Sequence, residues 1–179
     1  MNSMSKNNWQ DEKGCGCKKE KEKGDIVLLK CKTLSSITVK ATDEEKSKKI
    51  ATLSLNTSHF SDPCIKFDFT TNLIISDVEG GVQGITVNFQ LFKLCRGETD
   101  PTAIGNQWTF ARSDESTDII TFIVCDCDCD CDCVKDDCCT FYVEASYIVD
   151  SPGQSNKTAT LAFNNPTLSA LVVEKNNHC

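Results

Sequence analysis

The stretch Ile85-Thr86-Val87-Asn88-Phe89-Gln90-Leu91 alternates strictly: Ile85, Val87, Phe89 and Leu91 are apolar, and the residues between them are polar. Successive side chains of a β-strand point to opposite faces, so this period of two predicts a strand with one buried and one wet face. Working outward, the pattern recurs. Upstream, Pro63 precedes Cys64-Ile65-Lys66-Phe67-Asp68-Phe69, and Ala51, Leu53 and Leu55 alternate with Thr52, Ser54 and Asn56. Residues 26–34 and 36–40 read as two further strands, 43–49 as a charged loop, and 77–81 as a turn. Downstream, a loop over 97–105 leads to strand-like Trp108-Thr109-Phe110 and to 119–124. Phe141, Val143, Ala145, Tyr147 and Val149 alternate again, and 159–163 and 168–173 close the series. Eight to ten short strands without helical periodicity predict an all-β protein, an antiparallel β-sandwich of jelly-roll type.

Length and composition set the frame. The 179 residues, 39% of them apolar, suit one sizeable core. The expected organisation is an N-terminal connector arm over 1–24, a sandwich over 25–173, and a short tail over 174–179 that ends in Cys179. The arm has almost nothing to bury, because Lys6, Lys13, Lys18, Lys19, Lys21 and Lys23 stand among Asp11, Glu12, Glu20 and Glu22. It is expected to be flexible, with a reach of roughly 25 Å from residue 24 back to Cys17. A net charge of −7 offers no basic face for phosphates and excludes nucleic acid as the expected partner. No apolar run approaches the ~20 residues of a membrane span, and no signal peptide is recognisable.

The thirteen cysteines are the unusual feature. Seven fall in Cys-Asp-Cys-Asp-Cys-Asp-Cys-Asp-Cys-Val-Lys-Asp-Asp-Cys-Cys, residues 125–139, among six carboxylates. Extended, this run would carry Cys125, Cys127, Cys129, Cys131 and Cys133 on one face and aspartates on the other. Asp is a poor strand former and like charges repel, so a loop ordered by cross-links or metal is expected. Thirteen is odd, which leaves at least one thiol free, metal-bound or joined to another chain. Cys15 and Cys17, favoured as thiolates by Lys13, Lys18 and Lys19, are candidates for inter-subunit disulfides, together with Cys179 beside His178. Cys31, Cys64, Cys95, Cys125, Cys127, Cys129, Cys131, Cys133, Cys138 and Cys139 are candidates as acceptors or as partners within the subunit. Bridges from residue i to i+2 are geometrically poor.

A zinc or other thiophilic-metal site on Cys125, Cys127, Cys129, Cys131 and Cys133 is the main rival, although the paired spacing of structural zinc sites is absent. No other cofactor is implied. Catalysis is not expected: the two histidines, His59 and His178, lie in a polar loop and a polar tail, and no phosphate loop or C-x-x-C motif exists.

At Phe89-Gln90-Leu91-Phe92-Lys93-Leu94-Cys95, at Trp108-Thr109-Phe110-Ala111-Arg112 and at the Cys-Asp run ending Cys138-Cys139-Thr140, the chain resembles a family of cysteine-rich proteins from spore-forming Clostridia with no established activity. The similarity spans about residues 25–173. The overall plan is also similar to the endospore appendage subunits of Bacillus, jelly-roll domains whose N-terminal connector carries cysteines that cross-link to other subunits. By that resemblance Cys15 and Cys17 match connector cysteines, while the Cys-Asp run has no counterpart. The expectation is a structural subunit that self-assembles, through its arm and strand edges, into a disulfide-cross-linked extracellular fibre or a spore-surface layer. Release from the mother cell would explain the missing signal peptide. A metal-thiolate module and an amorphous spore-coat or adhesive protein are the alternatives.

Overall fold

The computed structural model describes residues 27–60, 62–127, 138–150 and 157–174. Nine strands follow in chain order: β1 (Val27–Thr33), β2 (Ile37–Ala41), β3 (Lys46–Asn56), β4 (Pro63–Glu79), β5 (Gly84–Cys95), β6 (Thr102–Arg112), β7 (Ser116–Asp126), β8 (Cys138–Asp150) and β9 (Thr158–Glu174). All pair antiparallel, in one sheet ordered β1-β9-β4-β7, with β2 also on β9, and another ordered β3-β8-β5-β6. With β1 and β2 counted as one interrupted strand, each sheet holds four strands, and the chain crosses between sheets at nearly every connection. This is the wiring of a jelly roll, two interlocked Greek keys that bury one face of each sheet.

The alternation read in the sequence is the core. Ile85, Val87, Phe89 and Leu91 are fully buried and face Phe67, Phe69, Leu73 and Ile75 of the opposite sheet. Phe89 sits among Phe69, Phe122 and Phe163, with ring centroids 6.1, 6.4 and 6.2 Å away, a spacing at which tilted and edge-on aromatic pairs attract. Near the open side of the sandwich, Trp108 stacks on Phe122 at 4.3 Å.

Four local expectations are corrected. Residues 159–163 and 168–173 are one strand, β9, because Asn165 takes a left-handed conformation (φ 50°) that absorbs an extra residue. The neighbours fit this kink: the Thr71 hydroxyl donates to the Asn164 carbonyl at 3.1 Å, and the Leu34 amide to that of Pro166 at 2.9 Å. Lys46–Lys49 belong to β3 rather than to a loop. As an edge strand β3 needs no apolar alternation there, and its lysines discourage pairing with foreign strands. Lys49 also lies over the Tyr142 ring, 3.9 Å from its centroid. β6 begins at Thr102, inside the expected loop, and bulges at Gly105 (φ 67°), where the Gln90 amide donates to the carbonyls of Ile104 at 2.9 Å and Leu91 at 3.0 Å. The strand that starts at Pro63 runs on to Glu79, through the start of the expected turn.

Candidate functional site

The Cys-Asp run leaves the first sheet at the end of β7 and enters the second at β8. Its first two residues, Cys125 and Asp126, are strand rather than loop, as are Cys138 and Cys139. Residues 128–137 lie outside the described residues, so the readings on Cys129, Cys131 and Cys133 do too, as do those on Cys15, Cys17 and Cys179.

Strand register decides what the described sulfurs do. On β4, Ile65 pairs with Asp126, which places Cys64 opposite the next position, Cys127. The two form a disulfide with a Cα separation of 4.2 Å. On β5, Cys95 pairs directly with Cys139 of β8, and these form a second disulfide with Cα atoms 4.0 Å apart. Each end of the Cys-Asp run is thus tied to the body: one to the start of β4, the other to the end of β5.

Parity separates the two bonds. Phe122, Val124 and Asp126 point between the sheets, so Cys125 and, one step of two further on, Cys127 share the outer face of the first sheet. Cys95 has the parity of Leu91 and is buried, and Cys139 packs against the core, so their bond closes the interior at the rim. Asp126 reaches inward to Lys93 of the other sheet, N–O 3.8 Å, an ion pair beside both bonds. Turn hydrogen bonds hold the same rim: the Cys95 amide donates to the Glu98 carboxylate at 2.8 Å, and the Arg96 amide to the Cys138 carbonyl at 3.1 Å.

Among the described residues, Cys31, Cys125 and Cys138 are unbonded, and all three are exposed. Cys31 and Cys125 lie on the outer face of the first sheet, where Val27, Leu29, Ile119 and Ile123 are 57%, 72%, 78% and 55% exposed. Register lines up Leu29, Cys125, Cys31 and Ile123 in two rungs, Leu29–Leu171–Lys66–Cys125 and Cys31–Ser169–Asp68–Ile123. Lys66 and Asp68 pair at 3.0 Å on the same surface.

Of the five candidate metal ligands, Cys127 is bound to Cys64 and so has no thiolate to give a metal. Among the described residues no three His, Cys, Asp or Glu side chains converge on a common point. His59 is exposed in the turn after β3. Two ionisable groups depart from their ordinary range. The hydrogen bond from the Arg112 guanidinium (2.8 Å) holds Asp118 below the usual carboxylate range, and burial pushes Tyr147 up.

The fold is a disulfide-stabilised jelly-roll β-sandwich. By sequence the chain belongs to the family described as Domain of unknown function (DUF4489), which matches residues 26–173. No curated protein matches it. In three dimensions it is similar to a chain in the structure of the infectious bursal disease virus Gx strain. That match has 9% identity and a TM-score of 0.51, and covers 86% of this chain and 33% of the viral one. A chain of the T13 particle of the same virus matches at 7% identity and a TM-score of 0.44, over 83% of this chain and 35% of that one. The protein spans about a third of the length of these viral chains, and its likeness to the Gx-strain chain is one of fold.

Proposed function

We propose that the protein is a structural subunit whose copies assemble and are then joined by disulfides, forming an extracellular fibre or a spore-surface layer. One observation supports this reading: the outer face of the first sheet presents two exposed thiols, Cys31 and Cys125, among uncovered Val27, Leu29, Ile119 and Ile123. Apolar side chains on a wet sheet face gain about 25 cal/mol for each Å² they bury against another surface. Thiols set in such a contact are then positioned to bond across it in an oxidising exterior. In this reading Cys15 and Cys17 of one chain reach a neighbour, and a contact between unlike surfaces repeats into a filament. Cross-links of this kind make an assembly slow to dissociate.

The test compares the full chain with a Cys15→Ser/Cys17→Ser variant, by gel electrophoresis with and without reductant and by negative-stain microscopy. The expected result is a ladder of covalent multimers and uniform fibres for the wild type, which reductant collapses and the variant lacks. A single monomer band for both proteins without reductant, and no assembled particles, would overturn the proposal.

A further inference from the structure

Among the described residues, each unbonded thiol has a different relation to the two disulfides. Cys138 neighbours Cys139 in sequence, but adjacent strand residues face opposite ways, so it cannot reach the inward Cys95–Cys139 bond. Cys31 shares the outer face with Cys64–Cys127 but stands on β1, two strand spacings from β4 and level with Asp68, four residues along from Cys64, so it is about 16 Å away. Cys125 differs from both. It is exposed, lies two residues before Cys127, which follows the end of β7, and is opposite Lys66, the next outward residue after Cys64 on β4. Cys64 and Cys125 are therefore diagonal neighbours on one antiparallel ladder.

We propose that Cys64, Cys125 and Cys127 form a thiol–disulfide exchange site. The Cys125 thiolate attacks the Cys64 sulfur, the Cys64–Cys127 bond breaks, a Cys64–Cys125 bond forms, and Cys127 leaves as the thiolate. One disulfide and one thiol enter and one of each emerges, so no oxidant or reductant is consumed. The Cα atoms of a diagonal pair lie about 7–8 Å apart. Disulfides ordinarily span up to ~6.8 Å, so the last rung must shift by about an ångström. That rung is the end of the ladder, because β7 stops at Asp126, and ladder ends open most readily. Cys64 and Cys127 are only partly buried and lie on the outer sheet face that also carries Cys125, not in the core. The exchange moves the free thiol two residues along the Cys-Asp run, from Cys125 inside the ladder to Cys127 just beyond its end. It is internal to one chain and stands whether or not chains cross-link.

The test alkylates the native full-length protein at mildly alkaline pH without reductant, then cleaves it before aspartates, which separates Cys125 from Cys127. The expected result is label on both Cys125 and Cys127 with Cys64 protected, and no label on Cys127 in Cys125→Ser. Label on Cys125 alone would overturn the proposal, and so would label on Cys64, which would mean that Cys125 closes onto Cys127. As a second measurement, Cys127→Ser oxidised with dissolved oxygen, under conditions in which the wild type re-forms Cys64–Cys127 after reduction, is expected to yield a Cys64–Cys125 linked peptide. Free, fully alkylated Cys64 and Cys125 in that variant, beside a wild type that has re-formed its bond, would refute the exchange.

Discussion

Replacing both partners of the inner bond, Cys95→Ala/Cys139→Ala, removes a cross-link that spans 44 residues. In the chain-entropy account, closing a loop of that length costs the unfolded chain about 13 cal/mol/K, or about 4 kcal/mol at 25 °C. The order 64, 95, 127, 139 interleaves the two bonds, so with Cys64–Cys127 intact the unfolded chain is already restricted. The loss should then fall short of the full figure, at about 3 kcal/mol. For a domain of this size, each kcal/mol lowers the unfolding midpoint by about 2–4 °C, so the expected fall is about 6–12 °C. The assay is calorimetric or circular-dichroism melting of monomeric protein: wild type oxidised, wild type reduced, and the variant oxidised. The variant should melt between the two wild-type states, since it keeps the outer bond. If variant and oxidised wild type melt together, the bond does not restrain the unfolded chain and the clamp on the Cys-Asp run is not real.

Two further outcomes test the packing and the charges. A Cβ at Gly105 would meet Val124 Cγ1 at 2.8 Å while φ is 67°, so Gly105→Ala should cost about 2–4 kcal/mol in a urea titration. Gly81→Ala has a similar φ but nothing within 4 Å, so it should lose only about 1 kcal/mol; equal losses would discount the Val124 contact. Burial raises the pKa of Tyr147 in the folded state above its unfolded value of 10.0. Its contribution is complete below about pH 10 and is lost as pH rises through the folded pKa, since the unfolded chain loses that proton first. Tyr147→Phe should therefore flatten the fall in stability at alkaline pH, and an unchanged alkaline limb would count against the burial.

The sandwich was legible because its core strands keep one phase: Ile85 to Leu91 and Ile65 to Phe69 alternate without a break. Where the phase slips, the reading failed. In β9 the buried set is Ala159, Leu161 and Phe163, then Leu168, Ala170 and Val172, so odd positions give way to even ones across Asn165. A sequence pattern shows that slip as two strands; only the carbonyls of Asn164 and Pro166, bound by Thr71 and Leu34, show that the ladder continues. The Lys46–Lys49 segment hid for another reason, since an edge strand that faces water carries no apolar period. The disulfides were illegible in principle. Cys64 and Cys127 are 63 residues apart, and their meeting depends on the register of β4 against β7, which no local pattern encodes.

What the sequence did contain is the parity that divides the sulfurs by role. A strand sends alternate residues to opposite faces, so one position decides whether a cysteine meets the core or the solvent. Cys95 and Cys139 fall on the inner phase, where packing shields their bond from attacking thiolates. Cys31, Cys64, Cys125 and Cys127 fall on the outer phase, where a sulfur remains chemically accessible however stable the fold beneath it. The adjacent pair Cys138-Cys139 shows both at once, one sulfur outward and unbonded, its neighbour inward and bonded. A Cys-x-Cys repeat entering such a strand delivers every sulfur to the same side. On β7 that side is the open one, which is why the run's first cysteines meet an exposed disulfide rather than the core.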